Sequence, residues 1–409
     1  MAAEQDSVET VARRQIDQVN EQAGPDAVPV GIITPLSGPG DATAGSLVVR
    51  GACLGVEYVL RHGKLPLGKG IRLVVQNDQN GADTEGMQRS AVGGLAKLAM
   101  VDEVVAALGQ WHLRTTPHVA STAELLGLPI FIENGHSAVT AEQRRMVFRT
   151  YFSVADRVPL MLDFLAAQGM RRVGLVAANT VFGLETADTL EQYGAGLGME
   201  FLRFDFDQET TFDVREQLAA IRDFGPDVLI NDAVVRTNYM VVEQAAEVGL
   251  RPKVPMMVTF GFPMRSADFW RLAGDNGNGI MWPSSRYRPS WDGLTEIGRW
   301  FTQRYTDLYG TFPPDTALSA FTDVTLIAKA LDLAGEATRE ALVQALETHE
   351  FETWRGPVSF PRGEEHWHHC PPELVLMQYQ KVGQSFDDAA IVAPDALSTH
   401  TYLTPEQLG

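Results

Sequence analysis

The chain has 409 residues, 45% of them apolar and 21% charged, with a formal net charge of −19. That acidity argues against nucleic acid or an anionic membrane surface as partner, since both select basic patches. No run of 18 apolar residues is present, so membrane insertion is not expected. The two cysteines, Cys53 and Cys370, leave room for one disulfide at most.

The opening "MAAEQDSVETVARRQIDQVNEQAG" has no basic start and no apolar stretch of the kind a leader carries. Val8, Val11, Ala12, Ile16 and Val19 instead recur at helical spacing, predicting a helical extension over residues 1–27. Either a leader has been removed or the protein stays in the cytosol. After Pro25, "VPVGIITP" reads as a short strand closed by the turn cluster Ser37-Gly38-Pro39-Gly40. A helix is expected from about Ala42 to Arg61, stopping at His62-Gly63. "IRLVVQND" follows as a strand, then a helix through "GMQRSAVGGLAKLA". The alternation runs on through "EVVAAL", "TTPHVASTAELLG", "LPIFI", "RVPLMLDFLAAQG", "RRVGLVAA", "VFGLETADTLEQYG", "MEFLRFDF", "VREQLAAIRDFG", "DVLIN", "MVVEQAAEVG" and "VPMMVTF".

Short apolar strands between amphipathic helices imply parallel sheets covered on both faces. The series divides into similar halves near Arg149, which predicts an α/β protein of two doubly wound lobes. Lobe I is expected over 28–148 plus 278–357, and lobe II over 149–277 plus 358–409. "GPVSF" and "ELVLMQYQ" read as two late strands forming a hairpin between the lobes. In open α/β sheets a ligand sits beyond the carboxyl ends of the strands, so the loops there are the ones to inspect.

"VGIITPLSGPG", "IRLVVQNDQNGAD", "FRTYFSVADRVP", "RRVGLVAANTVFG" and "DTALSAFTDVTLIAKAL" followed by "GPVSF" together resemble the type I periplasmic solute-binding proteins. The likeness is to their branched-chain amino-acid and amide/urea branch, and it spans about residues 28–385. The resemblance implies two lobes joined by three hinge strands and closing over a small ligand. It also implies a non-catalytic protein of an ABC importer, periplasmic or extracellular, with a permease as partner and no cofactor. The alternative is a cytoplasmic sensor of the amide-sensing type, its N-terminal segment serving as a partner-binding or dimerisation helix.

In "LGQWHLRTTPHVAS", Thr116 before Pro117 predicts an N-cap and hence a helix whose free N–H groups face the ligand. The resemblance puts Trp111 and His112 of this loop against the ligand. It does the same for Asn134, Gly135 and His136 after "LPIFI", although an Asn-Gly pair also suits a plain turn. Phe182 matches an aromatic that covers the ligand in the family. Val234 and Phe260 stand where amino-acid binders place a Tyr and an acid, which weakens an amino-acid reading. A buried ammonium without a counter-charge costs several kcal/mol, and Asp232 is the one nearby substitute.

Phe260, Phe262 and Trp282 suggest an apolar or aromatic ligand body, and Arg236 a carboxylate partner. "EEHWHHC" gathers His366, His368, His369 and Cys370 behind Glu364 and Glu365, all metal-ligand types. The segment joins the two late strands and is expected to be a connecting loop. Neighbouring residues on a strand face opposite ways, which argues against all four side chains holding one ion, and no metal is predicted. A metal at His112, His136 and Glu133 lacks supporting spacing, and a metalloenzyme is the remotest alternative. No P-loop, Gly-x-Ser-x-Gly or HExxH occurs, so no catalytic constellation is visible.

Overall fold

The computed structural model describes residues 6–38, 41–63, 68–79, 84–266, 268–364 and 367–408. Its contacts divide the chain into two units, Met1–Phe152 with Trp291–Pro372 and Ser153–Ser290 with Glu373–Gly409. The chain therefore passes from one unit to the other three times, after Phe152, Ser290 and Pro372.

In the first unit, Ser7 caps α1 (Val8–Ala23) by accepting from the Thr10 amide at 3.2 Å. The sheet holds β1 (Val28–Thr34), β2 (Ile71–Asn77), β3 (Ala106–Gln110), β4 (Ile130–Ile132) and β5 (Val147–Phe148). All pairings are parallel and the order is β2-β1-β3-β4-β5. The helices between them are α2 (Ala42–His62), α3 (Thr84–Met100), α4 (Thr116–Leu126) and the short α5 (Ala138–Ala141).

The second unit opens with α6 (Val154–Ala167), β6 (Arg172–Ala178), α7 (Val181–Gly196), β7 (Glu200–Phe206) and α8 (Arg215–Phe224). It continues through β8 (Val228–Asp232), α9 (Val235–Glu247), β9 (Met256–Val258), α10 (Phe262–Arg265), α11 (Phe269–Ala273) and β10 (Met281–Ser285). The chain then returns to the first unit with α12 (Glu296–Tyr309), α13 (Asp315–Ala334), α14 (Arg339–Thr348) and the hairpin β11 (Phe351–Thr353) with β12 (Gly356–Val358). Back in the second unit come β13 (Leu374–Gln378), β14 (Ala390–Ala393) and α15 (Pro405–Leu408). The second sheet runs β14-β13-β10-β9-β8-β6-β7. Read from β7, its first five strands repeat the order of the first sheet, and the two-halves expectation is visible in that repeat.

Each sheet is covered by helices whose apolar stripes the sequence displays. In α6, Val154, Val158, Met161, Leu162 and Leu165 are buried at i, i+4 and i+7 spacing. In the first unit α13 lies directly on α2. A Cβ on Gly51 would stand 2.1 Å from the Ala317 carbonyl oxygen, so only glycine lets these two backbones approach. By length and composition α2 would span a bilayer, yet Leu47, Val48, Val49, Ala52, Leu54, Val56 and Val59 are buried in the unit's own core.

Three expectations need correction. The N-terminal helix is not a separate extension: Ala12, Ile16 and Val19 join the first unit's core. Asn20 pins it to the sheet, its Nδ2 donating to Leu73 O at 2.9 Å and its Oδ1 accepting from Leu73 N at 2.7 Å. Val8 and Val11 of the same stripe stay exposed. The boundaries also shift. Residues 278–290 carry β10 and belong to the second sheet, whereas 358–372 stay in the first unit. Finally, "GPVSF" and "ELVLMQYQ" do not pair with each other. β12 pairs with β11, and β13 with β10 and β14, all antiparallel, because each strand finds its edge within its own unit.

Candidate ligand-binding site

In the first unit, the loops after β3 and β4 are fastened by one buried amide–hydroxyl network. Gln110 Nε2 donates to Thr115 Oγ1 at 2.7 Å and to His112 O at 3.0 Å. Thr116 Oγ1 donates to Gln110 Oε1, and to His112 O at 2.8 Å. Asn134 Nδ2 donates to Gln110 Oε1 at 2.8 Å and lies 2.6 Å from Thr116 Oγ1. Asn134 Oδ1 accepts from His136 N at 3.1 Å, a side-chain turn of the kind Asn favours. Both ends of the Asn134 amide are thus held within the unit.

The N-cap of α4 is Thr115, one residue before the expected Thr116, whose hydroxyl is drawn instead to Gln110. His112 Nε2 accepts from Asp41 N at 3.3 Å. Burial lowers its pKa, Asp41 opposes that shift and Arg114 adds to it, which keeps the ring neutral and able to accept. Trp111 and His136 are half-buried, and Gly135 is buried.

Beneath Asn134 lies a carboxyl pair. Glu133 and Asp323 are 1% and 0% exposed, and Thr150 Oγ1 donates to Asp323 Oδ1 at 2.7 Å. Among the described residues no donor reaches the Glu133 oxygens or Asp323 Oδ2. Burial pushes both carboxyls above the usual range, and Asp323 pushes Glu133 higher still.

In the second unit, Phe182 in the first turn of α7 meets Phe260 edge-on, with ring centroids 5.6 Å apart. The Arg157 guanidinium, 2% exposed, lies 4.6 Å from the centre of the Phe182 ring, and its Nη2 donates to Thr186 Oγ1 at 2.8 Å. At the end of β8, Asp232 accepts at Oδ1 from Thr259 Oγ1, while its Oδ2 has no partner among the described residues. Burial pushes this carboxyl up to about 8, with Thr259 and Arg157 opposing. Asp232 is therefore mainly protonated at neutral pH.

The periplasmic binding protein family matches residues 27–384. The chain belongs to the periplasmic binding protein family. A comparison with curated proteins finds no match. Among solved structures it is similar to the leucine binding protein LivK from Thermotoga maritima, with a TM-score of 0.74 and 18% identity over 90% of this chain and 98% of that one. It is also similar to LivJ from Streptococcus pneumoniae, in complex with isoleucine, with a TM-score of 0.73 and 19% identity over 90% and 100% of the two chains. A third is an ABC-transporter solute-binding protein from R. palustris, in complex with benzoate, with a TM-score of 0.72 and 22% identity over 90% and 98%. The family and the two-lobe α/β fold expected from sequence are borne out.

The periplasmic-binding-protein fold puts Trp111, His112, Asn134, Gly135 and His136 on adjacent loops of the first unit. Phe182, Asp232 and Phe260 lie at strand ends or the following turns of the second. Arg236 packs against Phe212. It is exposed, its guanidinium lies 4.7 Å from the centre of the Phe212 ring, and it reaches Gln208 O at 3.5 Å. Trp282 is core rather than ligand-facing, fully buried on β10 with its ring 4.6 Å from that of Tyr379. Phe262 is 38% exposed at the start of α10.

Arg157 was missed by sequence reasoning, although it left a signal. It occupies the buried stripe of α6 between Val154 and Val158, where a cation needs a reason. Asp323, amid the apolar run of α13, is a similar mark.

The histidine segment resolves into separate roles, with Glu365 and His366 outside the described residues. His368, fully buried at φ 47°, stacks on Phe148 at 4.3 Å, and its Nε2 lies 3.2 Å from Glu347 Oε1. Burial lowers the His368 pKa and Glu347 opposes the shift. His369 instead contacts Arg149 and Tyr151, and Cys370 accepts at its carbonyl from Arg355 Nη2 at 2.7 Å. Both cysteines are unpaired. Among the described residues no three His, Cys, Asp or Glu side chains converge as a metal set.

Proposed function

We propose that the chain is the non-catalytic solute-binding protein of an ABC importer, working outside the cytoplasmic membrane and delivering its ligand to a permease. Its two units close over a small organic molecule that carries a carboxylate or amide and an apolar or aromatic part. Each unit offers half of the site, and the ligand stabilises closure by its higher affinity for the closed state. Family membership supports the class. The ligands held by the similar structures, branched-chain amino acids and an aromatic acid, bracket the chemistry.

The observation that carries the ligand choice is the Phe182–Phe260 pair, backed by the Arg157 cation. An aromatic face suits an aromatic body, and a neighbouring cation favours an anionic or dipolar head. In this reading Trp111, Phe182 and Phe260 contact the body, and His112 and His136 the polar end, with Gly135 allowing close approach. Asp232 borders the site in its protonated form, and Asn134 shapes the loop. Of the helix that the cytoplasmic-sensor alternative would use for a partner, Ala12, Ile16 and Val19 are buried in the first unit, while Val8 and Val11 stay exposed.

Thermal-shift measurements with benzoate, benzamide, urea, leucine and isoleucine test this proposal. A ligand present at 100 times its Kd stabilises by about 2.7 kcal/mol. Benzoate or benzamide is expected to give the largest shift. A larger shift with leucine or isoleucine overturns the ligand class, and no shift with any of them overturns the solute-binding reading for these chemistries.

A further inference from the structure

Arg149 is 1% exposed, follows β5, and stands three residues before the first crossing between the units. Its Nη1 donates to His136 O at 2.7 Å, and its Nη2 to Thr140 Oγ1 at 2.7 Å. These bonds hold both ends of the 136–140 segment. Its Nη2 also lies 3.3 Å from His369 Nδ1, while His369 Nε2 lies 3.1 Å from Tyr151 O.

A carbonyl can only accept and a guanidinium can only donate, so His369 carries its proton on Nε2 and accepts at Nδ1. The backbone completes the clasp, with Arg149 N donating to His368 O at 2.9 Å and Cys370 N to Arg149 O at 2.9 Å. The segment from 368 to 370 leads within a few residues to the third crossing, after Pro372.

We infer that Arg149, clamped by His369, is a positioning residue that ties the 133–140 loop to two of the three chain segments crossing between the units. A cation in the interior with this many directed bonds has one satisfactory orientation. Any movement of the 149–152 segment relative to the 368–370 segment disturbs that orientation, and the 136–140 segment with it. His369 does not touch the 133–140 loop through any of these bonds; it acts there through Arg149. The coupling rests on the first unit's geometry, and its consequence for closure rests on the proposed function.

Hydrogen–deuterium exchange on the ligand-free full chain tests the coupling without needing a ligand. In H369A, amides of 136–140 and 149–152 are expected to exchange about tenfold or more faster than in wild type, the effect of losing a charge-assisted bond. β6–β8 of the second unit serve as the reference and stay unchanged. H369Q, whose amide offers one acceptor and one donor, is expected to restore part of the protection. R149K keeps a cation but loses the fork, and is expected to free 136–140 more than 368–370.

Unchanged exchange of 136–140 in H369A overturns the inference. So does a uniform rise that includes β6–β8, which would make His369 a general stabiliser. If wild type fails to bind benzoate or benzamide, only the proposed ligand class falls, and the exchange result still decides the coupling.

Discussion

Phe182 and Phe260 meet edge-on at 5.6 Å, so truncating either removes part of the proposed ligand wall and leaves the other ring without its partner. Aromatic pairs of this kind contribute about 0.5–1.5 kcal/mol beyond area burial. F260A is therefore expected to weaken benzoate binding about tenfold in a calorimetric titration, together with the lost contact area. The ligand-free protein should also lose some thermal stability, since Phe260 packs on Phe182 and on the second unit's core. Equal benzoate affinity in F260A and wild type would remove Phe260 from the site.

The Glu133–Asp323 pair makes a pH prediction. Both carboxyls are pushed above the ordinary range, with burial the leading cause. An acid with a raised folded-state pKa contributes its stability in full below the unfolded value, about 4. That contribution is lost as pH rises through the raised folded value, because the unfolded chain ionises first. D323N removes one of the two titrations while keeping an acceptor for Thr150. The wild-type melting temperature should exceed that of D323N at pH 5, and the gap should shrink or reverse by pH 9. Parallel melting profiles over that range would contradict the raised carboxyls.

At the level of elements, the helix–strand alternation was legible because buried parallel strands and one-sided helices carry different periods. α2 ends at His62, as its histidine–glycine stop indicated, and α1 follows the Val8–Val19 stripe. Strand partners were not legible. "GPVSF" and "ELVLMQYQ" have strand composition, but neither states which edge it joins, and the sequence between them hides a passage from one unit to the other.

Site residues divided in the same way. Those at strand ends or the next turn, such as Phe182 and Asp232, were legible as candidates from the rule that α/β sheets bind ligands there. Trp282 looks the same in sequence, yet an inward-facing position on β10 made it core. Asn134 is polar and well placed, but Gln110 and Thr116 take up its amide, which only three-dimensional pairing shows. The buried stripe of α1 makes a further prediction. I16A should destabilise the first unit by about 2–4 kcal/mol, read from urea unfolding. No change in midpoint would mean that the helix is a detachable extension after all.

For the whole molecule, three crossings divide the chain so that neither unit is continuous in sequence. A ligand that prefers the closed arrangement shifts the population toward it by its differential affinity. Small-angle scattering should therefore show a smaller radius of gyration for the protein saturated with its ligand than for the ligand-free protein. The central claim is narrower than closure: the site takes an aromatic acid or amide in preference to an aliphatic amino acid. Calorimetric titration of wild-type protein with benzoate, benzamide and leucine tests it most directly. Saturable one-to-one binding of benzoate or benzamide, at least about tenfold tighter than leucine and so favoured by about 1.4 kcal/mol, is the predicted result. Tighter binding of leucine, or no heat from either aromatic compound, would contradict it.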